Sequence, residues 1–227
     1  MLYKFCYLPN FYKFILITFK MQNGNFYLEE LISKEGFALF DTNILVGPLH
    51  RLNDESTKKQ KLIYIQENLK FYDELIISLE EGFNFFITDG VFTEYSTFMP
   101  SRRRFKDGGP ELEIVKELLT KGRRELARAF EENDKIFEVQ NEQENDLYLN
   151  LKKYSGSLKS SFGVSEVDMD LLFSAAVISN TRGPTALISN DFGIYHAWHL
   201  LKEKGHFSQE QLRYYIKKDF EGYQLLL

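Results

Sequence analysis

"FALFDTNIL", residues 37–45, is the stretch from which the rest of the chain is read. Four residues suited to a buried strand run into Asp41. A hydroxyl at Thr42 and an amide at Asn43 follow, and then apolar residues resume. A carboxylate where a hydrophobic run ends either caps the next helix or lines a site at the strand's carboxyl edge. One Asp does not decide between these; the same arrangement repeated along the chain would.

Outward from that stretch, "FYLEELIS" (26–33) predicts a short helix and "GFALF" (36–40) the first strand. Gly47 and Pro48 open a loop carrying His50 and Arg51. From Lys59 to Glu81, apolar residues recur at Leu62, Ile65, Leu69, Tyr72, Leu75, Ile76 and Leu79, the spacing of one or two amphipathic helices. "FNFFIT" (83–88) predicts a strand buried on both faces, with Asp89 as N-cap of a helix holding Val91, Glu94 and Tyr95. A basic loop over 98–110 leads into a helix from Glu111 to about Val139, and another is expected over Asp146–Tyr154. "GVSEVDMDLLFSAAVISN" (163–180) starts a buried helix capped by Ser165. A third strand over 185–189 ends near Asp191, followed by a helix through Leu201, one over Ser208–Lys218 and a short strand at Tyr223–Leu227.

Strands alternating with helices predict an α/β fold with a mainly parallel sheet, whose crevice lies outside the carboxyl ends of the strands. Asp41 and Asp191 each follow a predicted strand. Glu94 comes about two helical turns after the second strand, and Asp168 lies in the first turn of its helix. Four clustered carboxylates repel one another unless cations neutralise them. Hard divalent ions favour oxygen ligands, and paired ions activate water against a phosphodiester. A single Cys rules out an internal disulfide or thiolate cage and suits a cytoplasmic protein, and four His residues offer no HExxH spacing. The chemistry expected is therefore that of Mg²⁺ or Mn²⁺ rather than zinc.

"FALFDTNIL", "FFITDGVFTE", "VSEVDMDLLFSAA" and "ALISNDFGI" together resemble, in order, the four acidic motifs of the PIN-domain ribonucleases. The resemblance spans roughly residues 36–200. It implies a PIN-like three-layer α/β/α domain over 21–227, with an enlarged helical insertion at about 98–160, acting as a metal-dependent ribonuclease on RNA. It makes Asp41, Glu94, Asp168 and Asp191 the catalytic and metal-holding acids, supported by Thr42, Asn43, Ser189 and Asn190. The third acid has two candidates about 200° apart on a helix. Asp168 matches the spacing from the Ser165 cap; Asp170 matches the distance to Ser174 and Ala175. Asp168 is preferred. Each acid also has a bland reading, as a helix cap, capping-box partner, turn residue or solvated side chain. A non-catalytic PIN-like domain binding RNA or protein is the alternative. A haloacid-dehalogenase-like phosphatase ranks lower, because Asn43 stands where that chemistry wants a second Asp.

Charged residues make up 27% and hydrophobic ones 44%, the balance of a globular chain of 227 residues with a real core. A net charge of −5 is silent about nucleic acid, which needs only a local basic face. Arg102, Arg103, Arg104 and Lys106 in the basic loop, with Arg123 and Arg124 on the next helix, are the candidate phosphate contacts, diluted by Glu125, Glu131 and Glu132. His196, Trp198 and His199 are assigned to packing or surface. A protein inhibitor or antitoxin and a homodimer are possible partners, and no membrane is expected. Residues 1–20 are apolar but broken by Pro9 and Lys13, with no small-residue cleavage site. They are expected to be a weakly structured extension or the product of an upstream start codon.

Overall fold

The computed structural model describes residues 25–26, 28–46, 57–97, 109–218 and 222–226. The elements are β1 (Asn25–Phe26), α1 (Leu28–Glu35), β2 (Phe37–Phe40), α2 (Thr42–Leu45), α3 (Lys58–Glu80), β3 (Phe85–Thr88), α4 (Asp89–Thr97), α5 (Gly109–Glu132) and β4 (Ile136–Phe137). There follow α6 (Glu142–Lys152), α7 (Ser155–Phe162), α8 (Glu166–Thr181), β5 (Thr185–Ile188), α9 (Phe192–Glu203), β6 (Leu212–Lys218) and β7 (Gly222–Leu226).

The strands form one sheet in the order β1-β7-β6-β5-β2-β3-β4. From β6 to β4 every pairing is parallel; β7 runs antiparallel to both β6 and β1. The protein is therefore α/β with a mostly parallel sheet. The four residues of β3 are all buried, as are those of β5. This explains their unbroken apolar character, since parallel strands are covered on both faces. The chain runs from β2 out to β3 and β4 by way of α3 and α5, then returns past β2 to β5 and β6 by way of α8 and α9. The packing agrees: α3 lies against α5, and α8 against α6 and α9. This arrangement is compatible with three α/β/α layers. Because the chain leaves β2 in one direction and returns to its other side as β5, the strand order reverses between β2 and β5.

Several elements differ from their sequence expectations for physical reasons. Gly36 lies outside the first strand: its φ of +78° is the left-handed turn that ends α1. The helix after the basic loop stops at Glu132, where Asp134 takes a φ of +54°, and the chain re-enters the sheet as β4. The segment at 98–160 is thus not wholly helical, since Ile136 and Phe137 pair with Ile87 and Thr88. Thr88, not Asp89, caps α4, its Oγ1 accepting from Val91 N at 3.4 Å. The largest correction concerns residues 208–218, expected to be a helix. Ser208 and Gln211 exchange hydrogen bonds that mimic a capping box, but they close a turn, and Leu212–Lys218 is strand β6 beside β5.

One buried polar cluster ties α1 to β6. Glu35 is fully buried; Arg213 Nη1 donates to both its oxygens at 2.7 Å and Tyr215 Oη to Oε1 at 2.6 Å. Breaking such a pair strands a buried charge. Arg213→Met is expected to lower the unfolding free energy by about 3–5 kcal/mol, read from the denaturant midpoint; an unchanged midpoint would show that water reaches Glu35.

Candidate active site at the strand carboxyl edge

Asp41 is the first residue past β2, and only 4% of its surface is exposed. Its backbone N–H still bonds Ile188 O of β5, at 3.0 Å, so the carboxyl group hangs at the reversal between the two strands. Oδ2 accepts from Ser189 Oγ and from Asn43 Nδ2, both at 2.5 Å. Asn43 crosses the reversal: Nδ2 also reaches Ser189 Oγ at 3.4 Å, and Oδ1 accepts from Asn190 N at 3.2 Å. Asn190 Oδ1 in turn accepts from Lys217 N of β6 at 2.9 Å. Thr42, Asn43, Ser189 and Asn190 all lie at this edge.

Asp191 follows on the same loop. Its N–H donates to Ser189 Oγ at 3.0 Å, and its Oδ1 caps α9 by accepting from Gly193 N at 2.5 Å. Gly193 suits the close fit: a Cβ there would meet both Asp191 Oδ1 and Phe162 O at 3.0 Å. Tyr214 Oη donates to Asp191 O at 2.7 Å from the neighbouring strand. Tyr214 is not among the residues the sequence points to, since 208–218 patterns as a helix; the alternation of Leu212, Tyr214 and Ile216 is the signal for the strand.

Asp168 closes a reciprocal capping box with Ser165, at 3.0 and 3.1 Å, at the start of α8. That helix start packs against the start of α4, where a Cβ on Gly90 would lie 3.1 Å from Val167. Asp168 is near enough to Asp41 for its charge to act on it. Asp170 instead accepts from Tyr148 Oη at 2.6 Å, away from that group. Of the two, Asp168 is the one whose charge acts on Asp41. Glu94 joins more loosely: it is exposed, and its Oε2 accepts from Thr42 Oγ1 at 2.8 Å.

Burial pushes the Asp41 carboxyl up to about 7, against the pull of the Ser189 hydrogen bond, and the charges of Asp168 and Asp191 add to the rise. Among the described residues, no three of His, Cys, Asp or Glu are gathered closely enough to ligate one ion directly. Mg²⁺, however, is commonly held by one or two carboxylates and fills its shell with waters and phosphate oxygens. Here the buried Asp41 carboxylate has the charges of Asp168 and Asp191 in reach, while the Ser189 hydroxyl and the Asn43 amide N–H donate to its Oδ2. Carboxylate oxygens are ligands of the kind hard divalent ions take.

Of the expected basic contacts, Arg102, Arg103, Arg104 and Lys106 lie outside the described residues. Arg123 is a correction: it is buried, its guanidinium donating to Tyr95 O and lying 5.2 Å from the Tyr95 ring centre, so it braces α5 against α4. Arg124 is exposed. Trp198 is fully buried and bonds Leu212 O at 3.2 Å, as a packing residue should. His196 and His199 lie on the outer side of α9, His199 Nδ1 3.4 Å from Glu203.

The raised carboxyl sets a pH dependence in protein stripped of metal. Between about pH 4 and pH 7 folded Asp41 keeps a proton that the unfolded chain releases, so stability falls as pH rises through that window. Above it the folded protein carries a buried charge. Asp41→Asn is expected to flatten this fall, by on the order of 3 kcal/mol between pH 5 and pH 8. Denaturant unfolding at the two pH values in EDTA checks it, and parallel slopes for parent and variant would refute it.

The chain matches no family model, no curated protein and no solved structure.

Proposed function

We propose that this protein is a PIN-like, divalent-metal-dependent ribonuclease whose site is the acidic edge between β2 and β5. The observation that carries the reading is Asp41, buried at the reversal of strand order and within electrostatic reach of Asp168 and Asp191. Open α/β sheets bind ligands at that reversal, and an acid raised chiefly by burial, with like charges adding to the rise, is a mark of functional sites. The order and spacing of the four acids add the resemblance to PIN ribonucleases.

The residues divide the work. Ser189 and Asn43 hold Asp41 Oδ2 and so fix the plane of its carboxyl group. Asp191 and Asp168 are each tied to a helix start, so their carboxylates are preorganised before any ligand arrives. Asp41, Asp168 and Asp191, with Glu94 reached through Thr42, would hold Mg²⁺ or Mn²⁺ directly or through waters. Bound there, a divalent ion supplies charge neutralisation for a phosphate and acidifies a water. The buried floor of the edge lowers the local dielectric and strengthens each of these interactions.

Cleavage of a labelled single-stranded RNA pool in Mg²⁺, Mn²⁺ or EDTA tests the reading. Cutting should need the ion and should drop by about a hundredfold or more in Asp41→Asn, Asp168→Asn and Asp191→Asn. Asp170→Asn should stay within a few-fold of the parent, because its carboxylate faces Tyr148. A folded parent that cuts none of the pool, or cutting that survives Asp41→Asn, would overturn it.

A further inference from the structure

The proposed ribonuclease reading leaves open how an RNA strand is held across the acidic edge, and one residue beside Asp191 bears on this. Phe192 is the first residue of α9 and is 68% exposed, the highest value among the large hydrophobic residues described. The others in that exposed set, Ile63, Ile77, Leu118, Val139 and Leu149, are aliphatic and none is adjacent to a candidate acid. An isolated exposed apolar side chain needs no explanation. This one differs in kind and in place.

Three features set it apart. Helical side chains lean toward the N-terminus of their helix, so a residue at the start of α9 leans toward the edge where Asp191 stands. The mount is firm, because Asp191 caps this turn and the Phe162 carbonyl closes on Gly193 with no room to spare. One helical turn along the same face stands His196, exposed and stacked on Phe162 with ring centres 5.9 Å apart and planes at 27°. Aromatic surface therefore starts next to the acid and continues away from it along α9.

We infer that Phe192 is a stacking platform for the base of the nucleotide flanking the scissile phosphate, with the His196–Phe162 pair extending that surface to the next base. This rests on the ribonuclease reading and sharpens it. Stacking needs a base with a free face, so the substrate is single-stranded RNA or an unpaired loop rather than a continuous duplex. Every base has such a face, so Phe192 contributes affinity with little sequence preference. An acidic edge repels phosphates wherever no cation intervenes. Apolar stacking is the attraction that does not depend on charge.

The test uses the full chain, a short single-stranded RNA that the parent cuts in Mn²⁺, and the same RNA made abasic one position at a time. Phe192→Ala should raise KM by roughly 5- to 150-fold, the range that removing base–aromatic stacking gives. Phe192→Tyr should restore the parent value, and thermal midpoints should agree because the ring is exposed. Abasic substitution at one position next to the cut should weaken the parent and leave Phe192→Ala little further to lose. An unchanged KM in Phe192→Ala, or equal losses on intact and abasic RNA, overturns the stacking role while the ribonuclease reading stands. A parent that neither cuts nor binds RNA overturns both.

Discussion

The charge on Asp41 is the constraint around which the site is organised. A carboxyl group with 4% of its surface exposed cannot ionise freely, yet it stands at the one place where two central strands part. Ser189 and Asn43 answer part of that demand by donating to Oδ2, and they do so from opposite sides of the reversal. The same contacts that keep the acid in place also stitch the end of β2 to the end of β5. Removing the carboxylate would relieve a buried charge and loosen the seam at once, two effects that oppose each other in stability.

The seam extends beyond those two strands. Asn190 receives Lys217 N, and Tyr214 reaches Asp191 O, so β6 supports the loop that carries the last acid. Behind it, Glu35 with Arg213 and Tyr215 fixes β6 against α1 at its other end. A strand held at both ends is a better support than a loop, and sites on rigid elements keep their geometry more closely. The position of Asp191 is thus inherited from a strand that carries none of the candidate acids.

What the sequence made legible was whatever depended on local pattern. Unbroken apolar runs located β2, β3 and β5, and the turn from strand to acid placed Asp41 and Asp191. The Ser165 cap located the start of α8. Features that depended on partners far along the chain stayed hidden. β4 is two residues long and exists because β3 offers an edge. β6 was hidden behind Ser208 and Gln211, whose mutual hydrogen bonds serve a turn as well as they serve a helix. Arg123 looked like one member of a basic face, and only the packing of α5 on α4 shows that it turns inward.

The capping reading of the acids does not exclude a functional one. Asp41 accepts from Asn43 N, Asp168 closes a capping box and Asp191 caps α9, so three of the four acids serve a helix start; Glu94 does not. Helix N-termini carry partial positive charge and unsatisfied N–H groups, both of which favour a nearby carboxylate. In a parallel sheet the covering helices that run antiparallel to the strands begin at the strands' carboxyl edge, so these helix starts collect where the crevice is. Capping thus offsets part of the repulsion that would otherwise scatter the cluster. What capping leaves unmet is concentrated on Asp41, the most buried member, which is where a cation would be most strongly drawn.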